Sequence, residues 1–271
     1  MMVYHDPNSL SQNFIKSPYL VKELLEEIDI DKQSLVLEIG PGKGIITEQL
    51  INKAGMVIAV EKDKSLYREL KEKYGYCQNL KIYNQDFLEF NLPRKPFIVV
   101  ANIPFAITAK IINKLLTEQM PQAMYLIMQL EVAEKFIGKN GETQSSLLTK
   151  PWYEMEILGE IDRTSFSLKP QVKIVLMKFI KRNKAFIKDE LKSHYRSFIY
   201  YGFNQWQPTI SLAFKKVMSF AQRKRFEKIY KINELKPSEL SFDNWLLMFK
   251  DFDKIVNEDQ KKIMKSFKIH I

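Results

Sequence analysis

The amino-acid sequence predicts an α/β fold in which a doubly wound, Rossmann-like sheet of about seven strands is followed by a smaller helical domain. Short runs rich in Val, Ile and Leu alternate with helical patterns from Leu35 to Ile180. A glycine cluster, Gly40 to Gly44, directly follows the first of these runs. Beyond about residue 182 the apolar residues adopt the 3.6-residue spacing of helices. These features are typical of a sheet that binds a ligand at the carboxyl ends of its strands.

Each predicted strand is a short β-rich run bounded by turn or helix signals. The first four are almost continuously apolar, which is typical of parallel strands that helices cover on both faces. The predicted strands are Leu35 to Ile39, Met56 to Glu61, Leu80 to Tyr83, Phe97 to Ala101, Ala123 to Met128, Met155 to Ile161 and Val172 to Ile180. The first predicted helix between them ends at about Lys53. The others run from Lys64 to Lys73, from about Thr108 to Thr117 and from Glu131 to Ile137.

The excess positive charge of the chain is concentrated in its last third. Residues 1–180 carry 22 basic and 22 acidic side chains, whereas residues 181–271 carry 20 basic and 10 acidic ones. The charge and the periodicity change together, so we expect a larger domain at residues 1–182 and a basic helical domain at residues 183–271. Such a basic domain favours a polyanionic partner, because each neutralised phosphate releases counterions. A basic surface kept for solubility explains the charge equally well.

Composition argues against three classes of protein. The single cysteine, Cys77, excludes an intramolecular disulfide framework. The three histidines, His5, His194 and His270, are too dispersed to form a spaced metal motif, so we expect no metal site. The N-terminus lacks the basic start and apolar run of a signal peptide, and no segment reaches the roughly 18 apolar residues of a membrane span. We therefore expect a cytoplasmic protein that contacts no membrane.

The segment Glu38 to Gly44, with the sequence Glu-Ile-Gly-Pro-Gly-Lys-Gly, follows a strand and opens a helix. Glycines in this place let the backbone turn tightly and approach a ligand closely. The spacing is G-x-G-x-G with a preceding acid, whereas dinucleotide-binding proteins show G-x-G-x-x-G. The glycines alone leave several cofactors open, and a purely structural turn is the alternative interpretation.

Two acidic residues follow the next two strands, and they narrow the choice of cofactor. Glu61 closes the second strand and Asp86 follows the third. An acid at the end of the second strand commonly accepts hydrogen bonds from ribose hydroxyls, and Asp86 is placed to accept one from an adenine amine. Both carboxylates attract the cationic sulfonium of S-adenosylmethionine and would repel the pyrophosphate of NAD. Electrostatics therefore favours S-adenosylmethionine, although either acid taken singly is more often a helix cap or a solvated loop residue.

The tetrad Asn102-Ile103-Pro104-Phe105 ends the fourth strand on the same side of the sheet. Its residue types suit the methylation of an adenine amine, whose lone pair is delocalised into the ring. The Asn102 side-chain carbonyl and the Ile103 backbone carbonyl supply two acceptors that favour a pyramidal amine. Pro104 stiffens the turn, and Phe105 can stack on a base that has been flipped out of its RNA context. The alternative is that the tetrad merely ends a strand and fills the core.

Together these motifs resemble those of the rRNA adenine N6-methyltransferases, a family that includes the erythromycin-resistance enzymes and the small-subunit dimethyladenosine transferases. The resemblance covers most of the chain, including an N-terminal motif at Ser11 to Ile15. It implies a class I methyltransferase sheet in residues 1–182 and RNA binding by residues 183–271, with Asn13 and Ile15 folded over the cofactor. The implied cofactor-binding residues are Asn13, Ile15, Gly40, Glu61, Asp86 and Asn102, and the implied catalytic residues are Asn102, Ile103, Pro104 and Phe105.

Asn-Ile-Pro-Phe resembles the erythromycin-resistance branch more than the small-subunit branch, which usually carries Asn-Leu-Pro-Tyr. Val99 to Ala101 before the tetrad and Ile107-Thr108 after it also resemble erythromycin-resistance sequences. This branch implies mono- or dimethylation of one adenine in 23S rRNA, before or during ribosome assembly. It also implies resistance to macrolides, lincosamides and streptogramin B. We expect the protein to be a monomer.

Three alternatives stay open. The first is a 16S rRNA dimethyladenosine transferase that acts in ribosome biogenesis. The second is a DNA adenine methyltransferase, although the tetrad of that class is usually Asp-Pro-Pro-Tyr. The third is a non-catalytic RNA-binding relative that keeps the fold.

One segment departs from the family pattern. Where the family usually shows Phe-x-Pro-x-Pro-x-Val, this chain has Phe166 to Val172, with Leu168 in place of the first proline. The resemblance implies that the loop bearing Phe166 faces the target base. We therefore expect the change to alter substrate fit and to leave the cofactor site untouched.

Overall fold

The computed structural model describes residues 13–265, and the chain divides into two compact units. The first unit runs to Ala133 and resumes at Met155–Lys181, and the second comprises Glu134–Glu154 and the chain from Arg182 onward. The sequence indicates a change of character at residue 182, and the structure adds Glu134–Glu154 to the helical part. Tertiary hydrogen bonding accounts for this addition, because the buried Tyr195 hydroxyl donates to the Leu147 carbonyl at 2.9 Å.

The described part of the first unit is built on one seven-stranded sheet. Its strands are β1 (Leu35–Ile39), β2 (Met56–Glu61), β3 (Leu80–Asn84), β4 (Ile98–Asn102), β5 (Ala123–Gln129), β6 (Tyr153–Ile161) and β7 (Ile174–Lys181). They lie in the order β3-β2-β1-β4-β5-β7-β6. The strands from β3 to β5 in this order pair in parallel, whereas β7 runs antiparallel to β5. The predicted fold class is confirmed. The predicted bounds of β1 and β2 match the structure, and those of the other strands differ from it by one or two residues.

Two of the five helices described in this unit begin at a side-chain cap that the sequence supplies. The five helices are α1 (Pro18–Glu26), α2 (Ile45–Lys53), α3 (Lys64–Tyr74), α4 (Thr108–Thr117) and α5 (Leu130–Ile137), the last of which contains the boundary between the units. The Ser17 hydroxyl accepts the Leu20 N–H at 3.2 Å, and Pro18 occupies the first helical position of α1. The Asp63 carboxylate caps α3 in the same way. Helix α1 is not among the elements predicted from the sequence, so it is an addition from the structure.

Parallel pairing brings the ends of the central strands to one edge of the sheet. Ile39 lies opposite Val60 of β2 on one side and opposite Ala101 of β4 on the other. The residues that follow these positions therefore meet at the same edge, which places Gly40, Glu61 and Asn102 side by side. The strands beneath them are held by a buried apolar core, in which Val36, Val57 and Val99 are fully enclosed.

The second unit is helical and has an aromatic core of its own. Its helices are α6 (Gln144–Thr149), α7 (Lys192–Phe203), α8 (Ile210–Ala213), α9 (Phe220–Tyr230), α10 (Phe242–Ile255) and α11 (Glu258–Lys265). Phe198 of α7 is fully buried, and its ring lies 4.9 Å from that of Phe214, 5.0 Å from that of Phe252 and 5.7 Å from that of Trp245. In the part of the chain that the structure describes, no helix is long and apolar enough to cross a membrane.

Candidate active site

A cavity of about 540 Å³ opens at the carboxyl-terminal edge of the sheet, within the first unit. Its walls contain most of the residues that the sequence singles out. Several residues that the sequence does not single out also line the cavity. The lining residues on which the site depends are Asn13, Phe14, Gly40, Gly42, Glu61, Lys62, Asp86, Asn102, Ile103, Pro104 and Phe105.

The glycine loop after β1 needs its glycines for two separate reasons. Gly40, Gly42 and Gly44 have φ values of 65°, 58° and 80°, in the left-handed region that other residues adopt at a cost. A Cβ atom at Gly42 would also lie 2.6 Å from the Phe14 ring. At Gly40 an added Cβ would meet no protein atom within 4 Å, so the backbone there borders open space. The loop can therefore lie directly against a bound ligand.

Glu61 is held between the glycine loop and the start of α3. Its carboxylate accepts the Gly42 N–H at 3.0 Å and the Asp63 N–H at 2.8 Å, and the residue is 5% exposed. Burial raises the pKa of Glu61, and the N–H groups of Asp63 and Gly42 partly oppose the rise. Each carboxylate oxygen has acceptor capacity beyond the bond it already makes. Glu61 can thus receive hydroxyl groups of a sugar in the cavity.

Asp86 lies on the same wall and is more exposed than Glu61. One of its oxygens accepts the Leu88 N–H at 2.9 Å, and the other pairs with the Lys62 ammonium at 2.8 Å. The hydrogen bond from Lys62 holds the pKa of Asp86 below its usual range, so the carboxylate is ionised. Lys62 is not among the site residues predicted from the sequence. A lysine next to the strand-end acid is the signal that the sequence offers, but its reach to Asp86 depends on the packing of β2 against β3.

Glu38 is the buried acid before the glycine loop. It is 1% exposed, and no described residue forms a hydrogen bond of normal geometry with either carboxylate oxygen. Burial raises the pKa of Glu38 to about 8, with a further contribution from the charge of Glu61 and an opposing one from Thr47. At neutral pH Glu38 is therefore mostly uncharged. Glu61 and Asp86 supply the negative charge of this wall.

The Asn-Ile-Pro-Phe tetrad forms the facing wall, and all four residues line the cavity. Asn102 ends β4, and its side-chain Nδ2 donates to the Asn13 backbone carbonyl at 2.7 Å. The Ile103 N–H donates to the Ile127 carbonyl at 3.1 Å, which extends the β4–β5 pairing by one residue. Phe105 starts a short 3-10 turn and is half-buried against the core of the sheet. The tetrad thus presents an amide and an aromatic ring to the cavity.

Two predicted residues lie elsewhere. The Ile15 side chain is 5% exposed and packs in the core, and its neighbour Phe14 lines the cavity in its place. Phe166 is 2% exposed in the same core and forms a β-bridge with Ile15. The expectation that the loop bearing Phe166 faces the target base is not supported for the Phe166 side chain, because core packing encloses it. Leu168 is 53% exposed, and Ser11 and Gln12 of the N-terminal motif lie outside the described residues.

The residues present fit the S-adenosylmethionine that the sequence predicts. The glycine loop gives a ligand close access to the backbone, and Glu61 offers acceptors for a ribose. The Glu61 carboxylate also favours a positive charge, whereas the Asp86 carboxylate is already paired with Lys62. Gly40, Glu61, Asp86, Asn102 and Asn13 could hold the cofactor from both walls. Among residues 13–265, no group of three or more His, Cys, Asp and Glu side chains is arranged to hold a metal ion.

The Rossmann-like sheet places a glycine loop and an Asn-Ile-Pro-Phe tetrad around one cavity. This combination is typical of methyltransferases, and this chain is an enzyme of that class. The family follows from the sequence comparison. Residues 6–254 match the family described as ribosomal RNA adenine dimethylase, and the chain belongs to that family.

Individual relatives come from both branches considered above. An rRNA adenine N-6-methyltransferase from Bacillus licheniformis is 29% identical over 246 residues, which cover 90% of this chain and 86% of the relative. A ribosomal RNA small subunit methyltransferase A from Natranaerobius thermophilus is 28% identical over 232 residues, which cover 76% of this chain and 77% of the relative. The crystal structure of the 23S rRNA methyltransferase ErmE is similar with a TM-score of 0.76 and 25% identity, covering 89% of this chain and 100% of that one. The predicted family resemblance is confirmed.

Proposed function

We propose that this protein transfers methyl groups from S-adenosylmethionine to the N6 amine of an adenine in 23S rRNA. The modification would protect the ribosome against macrolides, lincosamides and streptogramin B, and the protein would act in the cytoplasm. The observation that carries the proposal is that the tetrad Asn102 to Phe105 lines the same cavity as Gly40 and Glu61. A methyl donor and a purine base could therefore be held within one site.

The roles of the residues follow from their chemistry. S-adenosylmethionine, when bound, supplies an electrophilic methyl group on a positively charged sulfur. The Asn102 Oδ1 and the Ile103 carbonyl accept hydrogen bonds from the adenine amine, which favours a pyramidal nitrogen with its lone pair directed at the methyl carbon. Phe105 stacks on the flipped base and keeps water from the reacting atoms. The amine nitrogen would form the new N–C bond as the bond between the methyl carbon and sulfur breaks, with the electron pair left on sulfur in the departing thioether, S-adenosylhomocysteine. The methylated amine would then release a proton to water.

The choice of 23S rRNA rests on the tetrad and on the relatives. Asn102-Ile103-Pro104-Phe105 follows the pattern of the erythromycin-resistance branch. The similar crystal structure is that of a 23S rRNA methyltransferase, and the Bacillus licheniformis relative is an rRNA adenine N-6-methyltransferase. The second candidate is dimethylation of 16S rRNA, which the Natranaerobius thermophilus small-subunit relative favours.

Mapping the methylated adenines separates the two candidates. The protein would be expressed in a macrolide-sensitive bacterium that lacks its own small-subunit dimethyltransferase, and primer extension would be run on both rRNAs. We expect methylation of one 23S adenine, seen as a primer-extension stop where the amine carries two methyl groups, and selective growth on macrolides and lincosamides. Neither effect is expected from the Asn102→Ala variant. Stops at two adjacent 16S adenines would support the second candidate. Cofactor binding without any rRNA methylation would reject both.

We also propose that the second unit binds RNA through the exposed basic face of α9. Lys224, Arg225 and Lys228 are exposed there, and the Arg223 and Lys224 cations lie 5.8 Å and 5.7 Å from the ring of Phe220, which is itself 69% exposed. Cations beside an exposed ring suit a phosphate backbone with accessible bases. This arrangement supports the RNA-binding role expected for residues 183–271.

The salt dependence of RNA binding tests this surface. Replacing Arg223, Lys224 and Arg225 with Gln should reduce the slope of log affinity against log salt by about 0.7 to 0.9 for each phosphate that the protein no longer neutralises. The matched control replaces Arg68, Lys71 and Lys73, which are exposed on α3 of the first unit, and should leave the slope nearly unchanged. Equal slopes for the two triple variants would show that α9 is not part of the RNA interface.

A further inference from the structure

The orientation of the Asn102 amide is fixed by a backbone carbonyl. The two ends of a primary amide have nearly the same shape, so an unrestrained Asn102 could present either its donor or its acceptor to the cavity. The Nδ2 of Asn102 donates to the Asn13 carbonyl at 2.7 Å. Because a carbonyl can only accept, the Nδ2 must face Asn13 and the Oδ1 must point away from it. Among residues 13–265 no donor occupies that oxygen, so it stays available in the cavity that Asn102 lines.

The residues that follow Asn13 are in turn held by a segment far along the chain. The Ser167 N–H donates to the Phe14 carbonyl at 2.7 Å, and the Lys16 N–H donates to the Ser165 carbonyl at 2.9 Å. Between these two bonds Ile15 and Phe166 form an antiparallel bridge, and both of their side chains are buried in the core of the sheet. Residues 14–16 are therefore bonded to residues 165–167 on both sides of the Ile15–Phe166 bridge. Asn13 continues directly from this tied segment.

We propose that residues 165–167, which we name the strap, are positioning residues for methyl transfer. The strap holds residues 14–16, the Asn13 carbonyl holds the Nδ2 of Asn102, and the Oδ1 is thereby presented to the adenine amine. This inference rests on the proposed function of Asn102. In this proposal Phe166 does not contact the base. Its buried side chain anchors the backbone of the strap, and the strap acts on the reaction by positioning Asn102.

Proline substitution at position 167 tests the strap without changing a buried side chain. Ser167→Pro removes the N–H that binds the Phe14 carbonyl, and Phe166 already has φ −102° and ψ 152°, which a following proline accepts. Ser167→Ala keeps the N–H and is the matched control, since the Ser167 side chain is exposed. The single-turnover rate of methyl transfer should fall about ten-fold for the proline variant and stay within about two-fold for the alanine variant.

Testing Ser167→Pro in the Asn102→Asp variant as well separates a positioning role of the strap from a general effect on the fold. In Asn102→Asp the carboxylate has no hydrogen to donate to the Asn13 carbonyl, so the strap can no longer orient residue 102 through that bond. Ser167→Pro should therefore cost about ten-fold when residue 102 is Asn and nothing further when it is Asp. An equal loss in both backgrounds would show that the strap only supports the fold, and the inference would be overturned.

A spectroscopic measurement keeps the test independent of activity. In protein labelled with ¹⁵N-asparagine, the side-chain NH₂ signal of Asn102 is the one that disappears in Asn102→Asp. We expect this signal to be protected from hydrogen exchange in the unsubstituted protein and in Ser167→Ala, and to lose at least about ten-fold protection in Ser167→Pro. Unchanged protection would overturn the inference even if the unsubstituted protein methylates rRNA. Absence of rRNA methylation with the expected exchange pattern would instead reject the proposed function and leave the amide orientation intact.

Should Ser167→Pro fail to fold, the reciprocal bond offers a second pair of variants. Lys16→Pro removes the N–H that binds the Ser165 carbonyl, and Lys16→Ala keeps it, while both variants remove the same exposed side chain. The same loss of protection at Asn102 is expected for the proline variant alone. Full protection in a folded Lys16→Pro protein would contradict the strap.

Discussion

The two walls of the cavity differ in what holds their functional groups. On the first wall, which we name the cofactor wall, Glu61 is fixed by N–H groups of the adjacent glycine loop and of Asp63, two residues further along. On the second, the base wall, Asn102 is fixed by the carbonyl of Asn13, which lies 89 positions away. The cofactor wall is thus assembled from neighbouring strand ends, and the base wall depends on a segment brought in from the N-terminus.

This difference indicates how the two functions can be separated. Damage to the cofactor wall should weaken binding of the methyl donor, since the backbone there shapes the pocket itself. Damage to the base wall should slow the reaction much more than it weakens that binding, because Asn102 is only one of several residues that could hold the cofactor and its main action is on the base.

Removal of the functional groups of the base wall should have the largest effect. Asn102→Ala deletes the acceptor for the adenine amine, and Phe105→Ala deletes the stacking ring. Each should lower the rate of methyl transfer by about 100-fold or more, as loss of a transition-state hydrogen bond or base contact does elsewhere. Calorimetry with S-adenosylmethionine should show an affinity within about five-fold of the unsubstituted protein. Loss of cofactor affinity as the main defect would erase the distinction between the walls.

Adding a methyl group to the glycine loop should weaken cofactor binding, in contrast to the base-wall variants. Gly42→Ala forces a residue with φ 58° to carry a Cβ that would lie 2.6 Å from the Phe14 ring. Strain of about 1 to 2 kcal/mol should displace the loop and lower cofactor affinity roughly ten-fold. Gly159→Ala is the control, since a Cβ there meets no atom within 4 Å. If Gly42→Ala binds the cofactor normally, the loop is not shaped by its glycines.

The pH dependence of cofactor binding should report on Glu61. Burial raises the pKa of this carboxyl above that of an ordinary glutamate, so it takes up a proton as the pH falls through the raised value. Protonation adds a donor and reduces the acceptor capacity of the carboxyl, so cofactor affinity should decrease several-fold as the pH falls through this raised pKa. In Glu61→Gln the affinity should be lower at pH 8 and nearly independent of pH. A flat profile for the unsubstituted protein would indicate that Glu61 does not accept from the ligand.

The smallest effect concerns the stability of the cofactor wall. Glu38 keeps its proton up to a pKa of about 8 in the folded protein but ionises near 4.5 when unfolded. Its contribution to the free energy of unfolding is therefore complete below pH 4.5 and is lost as the pH rises towards 8. Glu38→Gln should raise the melting temperature by roughly 5 °C at pH 8 and much less at pH 5. The exposed Glu72→Gln is the control, and an equal shift at both pH values for Glu38→Gln would contradict the assigned pKa.

Much of both walls could be predicted from local sequence. The β-rich run before Gly40, the positions of Glu61 and Asp86 after their strands, and the tetrad after β4 each depend on a few consecutive residues. Parallel pairing then brings the strand ends together without further information. The chemistry of the tetrad likewise follows from its residue types.

The details that could not be predicted from the sequence depend on contacts between distant residues. Lys62 reaches Asp86 across 24 positions, and Phe14 stands in the cavity wall where the sequence predicts Ile15. The Phe166 side chain, expected beside the base, is only 2% exposed and lies in the core. An alternating segment does not reveal which of its two faces is buried until the partner strand is known.

Local sequence is sufficient to predict the succession of the strands, the glycine spacing, the strand-end acids and the tetrad, because periodicity and residue type act over a few neighbouring positions. Three features require the packed chain: the bond between Asn102 and Asn13, the bonds that join residues 165–167 to residues 14–16, and the place of Glu134–Glu154 in the helical unit. Such contacts close long loops and gain their free energy from burial in a shared core. No local pattern encodes that gain, so it becomes visible only when the whole chain is packed.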